Sequence, residues 1–560
     1  MEEQAVVQTP AKSKWPLIAA VVVVVAVAIV AFLVFGRGPA SDPARFLPKE
    51  VAVAATVDLT SSADKQAALD VIRSVFKDAG IDKPDQELFK LLGKELNLNF
   101  EKDVIAHLSG TGGFAMLTEM NGMMPVMVAV ICAKTDNDAA SVIKIFEGKL
   151  SENKVGFQTQ SYKGIKYYRI SAGSPTPGTP FGGPKLINYV GAAKSVIVWA
   201  NSDGGFKKVI DTINGEPCLL ADSTFTRLRR TDPSTFALLY VSGPGYYKLM
   251  APIFNMSMGM MGGEMPPELK EQMENALGAV CTADADAEGL RFKMVGLTKK
   301  PGPQYADVSL DDMATEFPAD AKIAFALKGW DRMWPEFKKA VLANPTVKNQ
   351  TDKGLAQARQ MLGFDPLADL LDRITALSAY YTPGKAANAS AMPGAATLVL
   401  TVDKPGVVNK SIEKLQSFAA ASVKSKVTKA KAADQAISVM SFGDNVGKLG
   451  DAVVGDKVIL TFAGSDIVRA AGSAISAAQH KGSSLADSAG YKLVKGQLPD
   501  KGMVLFYGDI GGIADVFKSE MPAKDRKQVE AVFKRVGLFG ASGNVRGTES
   551  ESITVVPFKK

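Results

Sequence analysis

Residues 255–265 read NMSMGMMGGEM, five methionines in eleven positions of a chain that has only two histidines and three cysteines. Thioether sulfur is a soft ligand, so Met256, Met258, Met260 and Met261 are weak metal candidates, and copper(I) is the ion they would suit. Methionine is equally a flexible apolar filler, and no histidine or cysteine lies beside these four in the sequence. A second group, Met120, Met123 and Met124, surrounds the dipeptide Asn121-Gly122. Both groups are read first as adaptable apolar surface that meets a protein, peptide or lipid partner. No catalytic residue and no cofactor is assigned.

Acid–base chemistry near neutral pH most often uses histidine. His107 and His480 fall in dissimilar contexts, EKDVIAHLSG and SAAQHKGSS, without HExxH spacing, and are expected at the surface or at helix ends. In ADADAEGL, strand alternation puts Asp284, Asp286 and Glu288 on one face. Calcium would need such acids wrapped in a glycine-turned loop, so an outward-facing, solubilising strand is expected instead. The glycine-rich SAGSPTPGTPFGGPK has neither the P-loop ending nor the Rossmann spacing, and its prolines make it a stiff loop. Two carboxylates joined only by folding leave no sequence signature, which keeps a carboxylate-based hydrolase as a rival reading beside copper handling. Cys132, Cys218 and Cys281 specify no disulfide or zinc framework. A net charge of +7 over 560 residues is no nucleic-acid footprint. The basic run KSKVTKAKAADQ from Lys424 is expected to be a solvated helix end or loop.

The elements that position these residues begin with Trp15–Phe35, 21 residues without a charge. That length suits a transmembrane helix, too long for the apolar core of a cleaved signal peptide, so an uncleaved signal anchor is expected. The resulting layout is a cytoplasmic tail at 1–14, a bilayer-contacting span at 15–35, a linker at 36–45, and the remainder outside the cytoplasm. Localisation is then the inner membrane, single-pass.

The remainder contains an ordered internal similarity. VGAAKSVIVWANSD, LLADSTFTRL, STFALLYVSG and EMPPELKEQMENALG recur in the same order as VGDKVILTFAGSD, SLADSAGYKL, KGMVLFYGDIGG and EMPAKDRKQVEAVF. Residues 46–300 and 314–560 are therefore read as two copies of one unit, with 301–313 as linker. Strand-like runs such as EVAVAATVDL and PVMVAVICAK alternate with helix-period runs such as DAASVIKIFEGKL. The expected fold class is α+β: an N-terminal transmembrane helix, then two tandem units with mainly antiparallel sheets. Twenty-four residue steps separate Tyr240 from Glu264 but only thirteen separate Tyr507 from Glu520, so NMSMGMMGG is an addition to the first copy.

The segments FLPKEVAVAATVDL, FEKDVIAHLSG and LLADSTFTRL resemble the bacterial membrane-anchored proteins grouped as domain of unknown function 3352. The resemblance implies a single N-terminal span and an extracytoplasmic domain, and implies no activity. With the asymmetric loops at 116–127, 171–185 and 254–263, it makes a non-enzymatic binding or scaffold protein of the cell envelope the expected function, with the first copy as the recognition half.

Overall fold

Short runs rich in β-branched and aromatic residues, separated by turn residues, make strands the main element of this chain. The computed structural model describes residues 42–60, 62–78, 100–122, 124–152, 155–172, 186–230, 234–260, 267–302, 307–342, 345–384, 393–443, 446–464, 466–517 and 523–559. The first half contributes β1 (Val51–Asp58), β2 (Leu108–Asn121), β3 (Met124–Ala133), β4 (Phe157–Tyr162), β5 (Ile165–Ala172), β6 (Leu186–Ala193), β7 (Val196–Ala200), β8 (Thr235–Ser242), β9 (Ala276–Asp286) and β10 (Gly289–Thr298). The second half contributes β11 (Ile323–Lys328), β12 (Ile374–Pro383), β13 (Gly394–Val402), β14 (Val427–Ala432), β15 (Gln435–Ser441), β16 (Lys448–Val454), β17 (Lys457–Ala463), β18 (Val504–Asp509), β19 (Leu538–Arg546) and β20 (Glu549–Pro557).

Every neighbouring pair is antiparallel. The order is β4-β5-β6-β7-β3-β2-β1-β8-β9-β10 and then β20-β19-β18-β11-β12-β13-β17-β16-β15-β14. Each strand of the first half has its counterpart ten numbers later, and the pattern reverses about the β10–β20 contact, where Lys293 faces Ile553. Instead of one sheet per copy, the protein has one continuous sheet of twenty strands. The physical reason lies in the last strand of each half: left as edges, β10 and β20 would expose rows of unpaired N–H and C=O groups, and pairing them removes both edges.

The expected N-terminal transmembrane helix is corrected. Among the described residues no helix is long and apolar enough to cross a membrane, and residues 15–35 lie outside them. Pro345–Leu362 packs on its helical neighbours, and the helices that recur in both halves pack on the sheet or on one another. Those of the first half are α1 (Ala63–Asp78), α2 (Asp136–Glu152), α3 (Asp203–Ile213), α4 (Ser223–Leu228), α5 (Gly243–Met260) and α6 (Pro267–Asn275). Their counterparts are α7 (Trp330–Leu342), α8 (Pro405–Ser422), α9 (Ile467–Ala478), α10 (Ala489–Lys495), α11 (Ile510–Phe517) and α12 (Ala523–Val536).

Alternating strand residues feed cores on opposite faces of the sheet. Val196, Val198 and Ala200 of β7 join Phe206, Val209 and Ile210 of α3 and Phe225 of α4 on one face, while Ile197 turns to Ala139 of α2 on the other. In the second half, Ile459 packs with Ile467, Ala471 and Ile475 of α9, and Val458 with Val408 and Ile412 of α8. The repeated LLADSTFTRL and SLADSAGYKL segments close each large core: Leu219 bonds back to Leu47 at 2.8 Å and Leu485 to Phe317 at 2.9 Å, all four being fully buried. A further cluster bridges the halves, with Leu69, Phe236 and Ala285 meeting Phe558 and the half-buried Val536. The segment read as a linker, 301–313, ends inside the second half: Val308–Ser309 pairs with Lys501–Gly502, and Leu310 and Met313 are fully buried.

Two local expectations change. The basic run from Lys424 forms β14, the last strand of the sheet, turned back on β15 by Ala433 and Asp434, both at positive φ (45° and 64°). Lysines on a terminal strand oppose edge-to-edge association, which explains their placement. Asp284 is not on a solvated face, because alternation from Val280 carries it to the core side, where it is buried and accepts a bond from Thr235 Oγ1 at 2.5 Å.

α3 and α9 end alike. Gly215 N–H reaches Thr212 and Glu216 N–H reaches Asp211; His480 N–H reaches Ala477 and Lys481 N–H reaches Ser476. This double bond pattern needs a left-handed residue, and His480 (φ 54°) stands where the first half has Gly215 (φ 115°). His480→Gly is expected to raise stability by about 1 kcal/mol, measured by urea denaturation, since the Cβ clash of the left-handed conformation is removed.

Candidate binding site

The methionine candidates fall on regular elements. Met120 is the exposed penultimate residue of β2 and Met124 the half-buried first residue of β3. Asn121 pairs with Met124 around Gly122 at φ 65°, the hairpin that the Asn-Gly dipeptide favours. Asn201 clamps it, accepting from Met127 N–H at 2.8 Å and donating to the Pro125 carbonyl at 2.9 Å. Met123 lies outside the described residues. Met256, Met258 and Met260 lie on α5, so the loop reading of 254–260 is corrected: good helix formers carry the chain on from Tyr246 despite Pro252. Met261 and residues 173–185 lie outside the described residues. The hairpin group and the helical group therefore belong to different elements.

The histidines serve termini. His107 Nδ1 sits 2.7 Å from Asp138 Oδ1, and Thr135 Oγ1 donates to Asp138 Oδ2 at 2.7 Å. The histidine contact holds the Asp138 carboxyl below its ordinary range, and the trio anchors the start of α2. Asp286 accepts from Glu288 and Gly289 N–H and so closes the β9–β10 turn. Cys132, Cys218 and Cys281 are free thiols, and burial pushes those of Cys132 and Cys281 up. Among the described residues no group of three or more His, Cys, Asp or Glu could hold a metal ion.

Alternation in the second half builds a different feature. Ala324, Tyr380, Val399 and Ile459 turn toward the main core. The residues between them form two parallel rows on the opposite face. One runs Ile323, Tyr381, Ala396, Phe462, Leu449; the other runs Phe325, Ala379, Leu398, Leu460, Asp451, Ser438. The apolar part of these rows floors an open trough of about 390 Å³, in which Ile323 and Leu398 are 36 % and 37 % exposed. Such exposure of neighbouring large apolar side chains on a sheet face is unusual for a surface that meets only water.

The matching row of the first half is Ala55, Phe114, Ala129, Trp199, Val190, Tyr168. The face of this row is shared: α5 lies along β1 and reaches β2, α2 packs on Trp199, Val190 and Tyr168, and Leu239, which continues the row from Ala55, stays 41 % exposed. The counterpart of α5, α11, packs on β19 and α12.

One cross-strand step beyond Leu460, outside the trough lining, lies a buried polar cluster. Asp451, Ser438 and Gln416 of α8 are each 3 % exposed. Lys429 Nζ donates to Ser438 Oγ at 2.7 Å and lies 3.3 Å from Glu413. Asp451 Oδ1 and both amide atoms of Gln416 lack a hydrogen-bond partner. Burial pushes the Asp451 carboxyl up, against the pull of Gln416, Ser438 and Lys429 and with the push of Glu413. In the first half the same positions are Val190 and Tyr168, packed with Ile170 and Leu150. The visible sequence signal was a lone aspartate in KLGDAVV, a strand with apolar alternation.

A raised folded-state pKa means the folded protein binds the proton more tightly than the unfolded chain, whose aspartates titrate near ~3.9. This contribution to stability rises as pH falls through the window from the raised folded value down to that unfolded value, and the penalty is complete above the window. Asp451→Asn is expected to stabilise the protein near neutral pH by about 1 kcal/mol or more, because it removes the charge whose burial is costly, and to remove that pH dependence. Urea midpoints as a function of pH check both.

A continuous antiparallel sheet of two equivalent halves, with an open apolar trough on one face of the second, defines an α+β architecture. The chain belongs to the family described as Protein of unknown function (DUF3352), whose family model matches residues 17–556. No curated protein matches it. Among solved structures it is similar to crystal form IV of TP0453 (10 % identity, TM-score 0.24, 46 % of this chain and 81 % of that one). Crystal form I of TP0453 gives 8 % identity and a TM-score of 0.24 over 50 % of this chain and 84 % of that one.

Proposed function

We propose that this is a non-enzymatic binding protein of the cell envelope, and that its second half receives an apolar ligand or apolar protein segment on the open sheet face. The single observation that carries the reading is the open trough over Ile323, Phe325, Leu398, Leu460 and Phe462. Ligand sites are typically concave and mostly apolar, with a few polar groups that orient the occupant. Cell fractionation tests the envelope placement. For binding, the full chain is titrated with the neutral fluorophore N-phenyl-1-naphthylamine. Saturable enhancement supports the reading; fluorescence that rises without saturation sinks it.

A further inference from the structure

We infer that the occupant is a single-chain amphiphile, its apolar tail lying on Leu398, Leu460 and Phe462 and its amine head meeting Asp451 and Gln416. The inference rests on the binding reading above and adds the chemistry of the ligand.

Two independent features converge. Leu398, Leu460 and Asp451 are consecutive partners in one cross-strand row, so the carboxylate stands one strand beyond the last lining residue of that row. Five strands from Ile323 to Leu449 span roughly 19 Å at ~4.8 Å per strand, enough for an extended alkyl chain of about a dozen carbons. Beyond that end, Gln416 and Ser438 act on the Asp451 carboxyl, and Asp451 Oδ1 and Gln416 Oε1 keep unfilled hydrogen-bonding capacity. Lys429 is engaged by Ser438 and Glu413. The fold itself does not require polarity there, because Val190 and Tyr168 fill the same register apolarly in the first half. Unsatisfied buried polar atoms call for a partner. An ammonium supplies three donors and the opposite charge, and an oxygen carried beside it would accept from Gln416 Nε2.

The test uses the full chain with bound N-phenyl-1-naphthylamine, displaced at neutral pH by dodecylamine, dodecanol or dodecanoate, each below its micellar concentration. Dodecylamine is expected to displace the dye at about tenfold lower concentration than dodecanol, with dodecanoate weakest. Asp451→Asn is expected to keep dye binding and lose the amine preference; Gln416→Leu, with thermal melting as a folding control, is expected to reduce it. Lowering the pH toward the titration of Asp451 should erode the preference in the wild type. Equal displacement by the amine and the alcohol, or a preference that persists in Asp451→Asn, overturns the head-group inference and leaves the binding reading standing. Failure of the dye to bind overturns the binding reading, and the inference with it.

Discussion

Leu398→Glu is expected to weaken uptake of an apolar probe at least tenfold while leaving the fold in place. Leu398 lies mid-row, flanked by Ala379 and Leu460, and is 37 % exposed in the unliganded protein. A carboxylate there stays hydrated until a ligand covers it, so its desolvation cost, about 1–3 kcal/mol or more, falls on the bound state alone. Folding stability should change by under about 1 kcal/mol, as for other partly exposed positions. Fluorescence titration of N-phenyl-1-naphthylamine beside a urea melt separates the two effects. Unaltered dye affinity in the folded variant would remove the trough as the binding site.

Phe206→Ala is expected to destabilise the whole chain by about 3–5 kcal/mol. Phe206 is fully buried and stacks on Tyr167 with ring centroids 4.4 Å apart. Its removal opens a cavity beneath α3 that the rigid strands β5, β6 and β7 cannot collapse. The larger point is where the loss is felt. Because β10 and β20 share nine residue pairs from Gly289↔Pro557 to Leu297↔Glu549, and Phe558 packs with Phe236 and Ala285, the two halves should melt together. Calorimetry is expected to show one transition moved to lower temperature. A second transition at the wild-type temperature would mean that the seam does not couple the halves.

Much of the local structure was legible in the residues themselves. Asn121-Gly122 announces a hairpin because that dipeptide accepts left-handed backbone, and β2 and β3 turn there. DAASVIKIFEGKL repeats its apolar residues at helical spacing and forms α2. The basic run from Lys424 misled because charge density masks strand alternation: Lys429 and Lys431 are the outward residues of β14. The methionines of NMSMGMMGG misled because glycine suggested a loop, whereas the segment to Met260 extends α5. Comparing the halves flagged that segment as an addition to the first, yet gave no sign of which surface it would cover.

Membership of the DUF3352 family and the strand and helix periodicities follow from the order of residues alone, since propensity, turn chemistry and alternation act over a few positions. Three things belong to the tertiary structure: the pairing of β10 with β20, the packing of α5 along β1 and β2, and the meeting of Asp451 with Gln416 beside an open apolar row. Each depends on residues distant in sequence, and in each the same local pattern is compatible with several partners. Backbone edges that must be paired and apolar faces that must be covered choose among them only when the whole chain has closed.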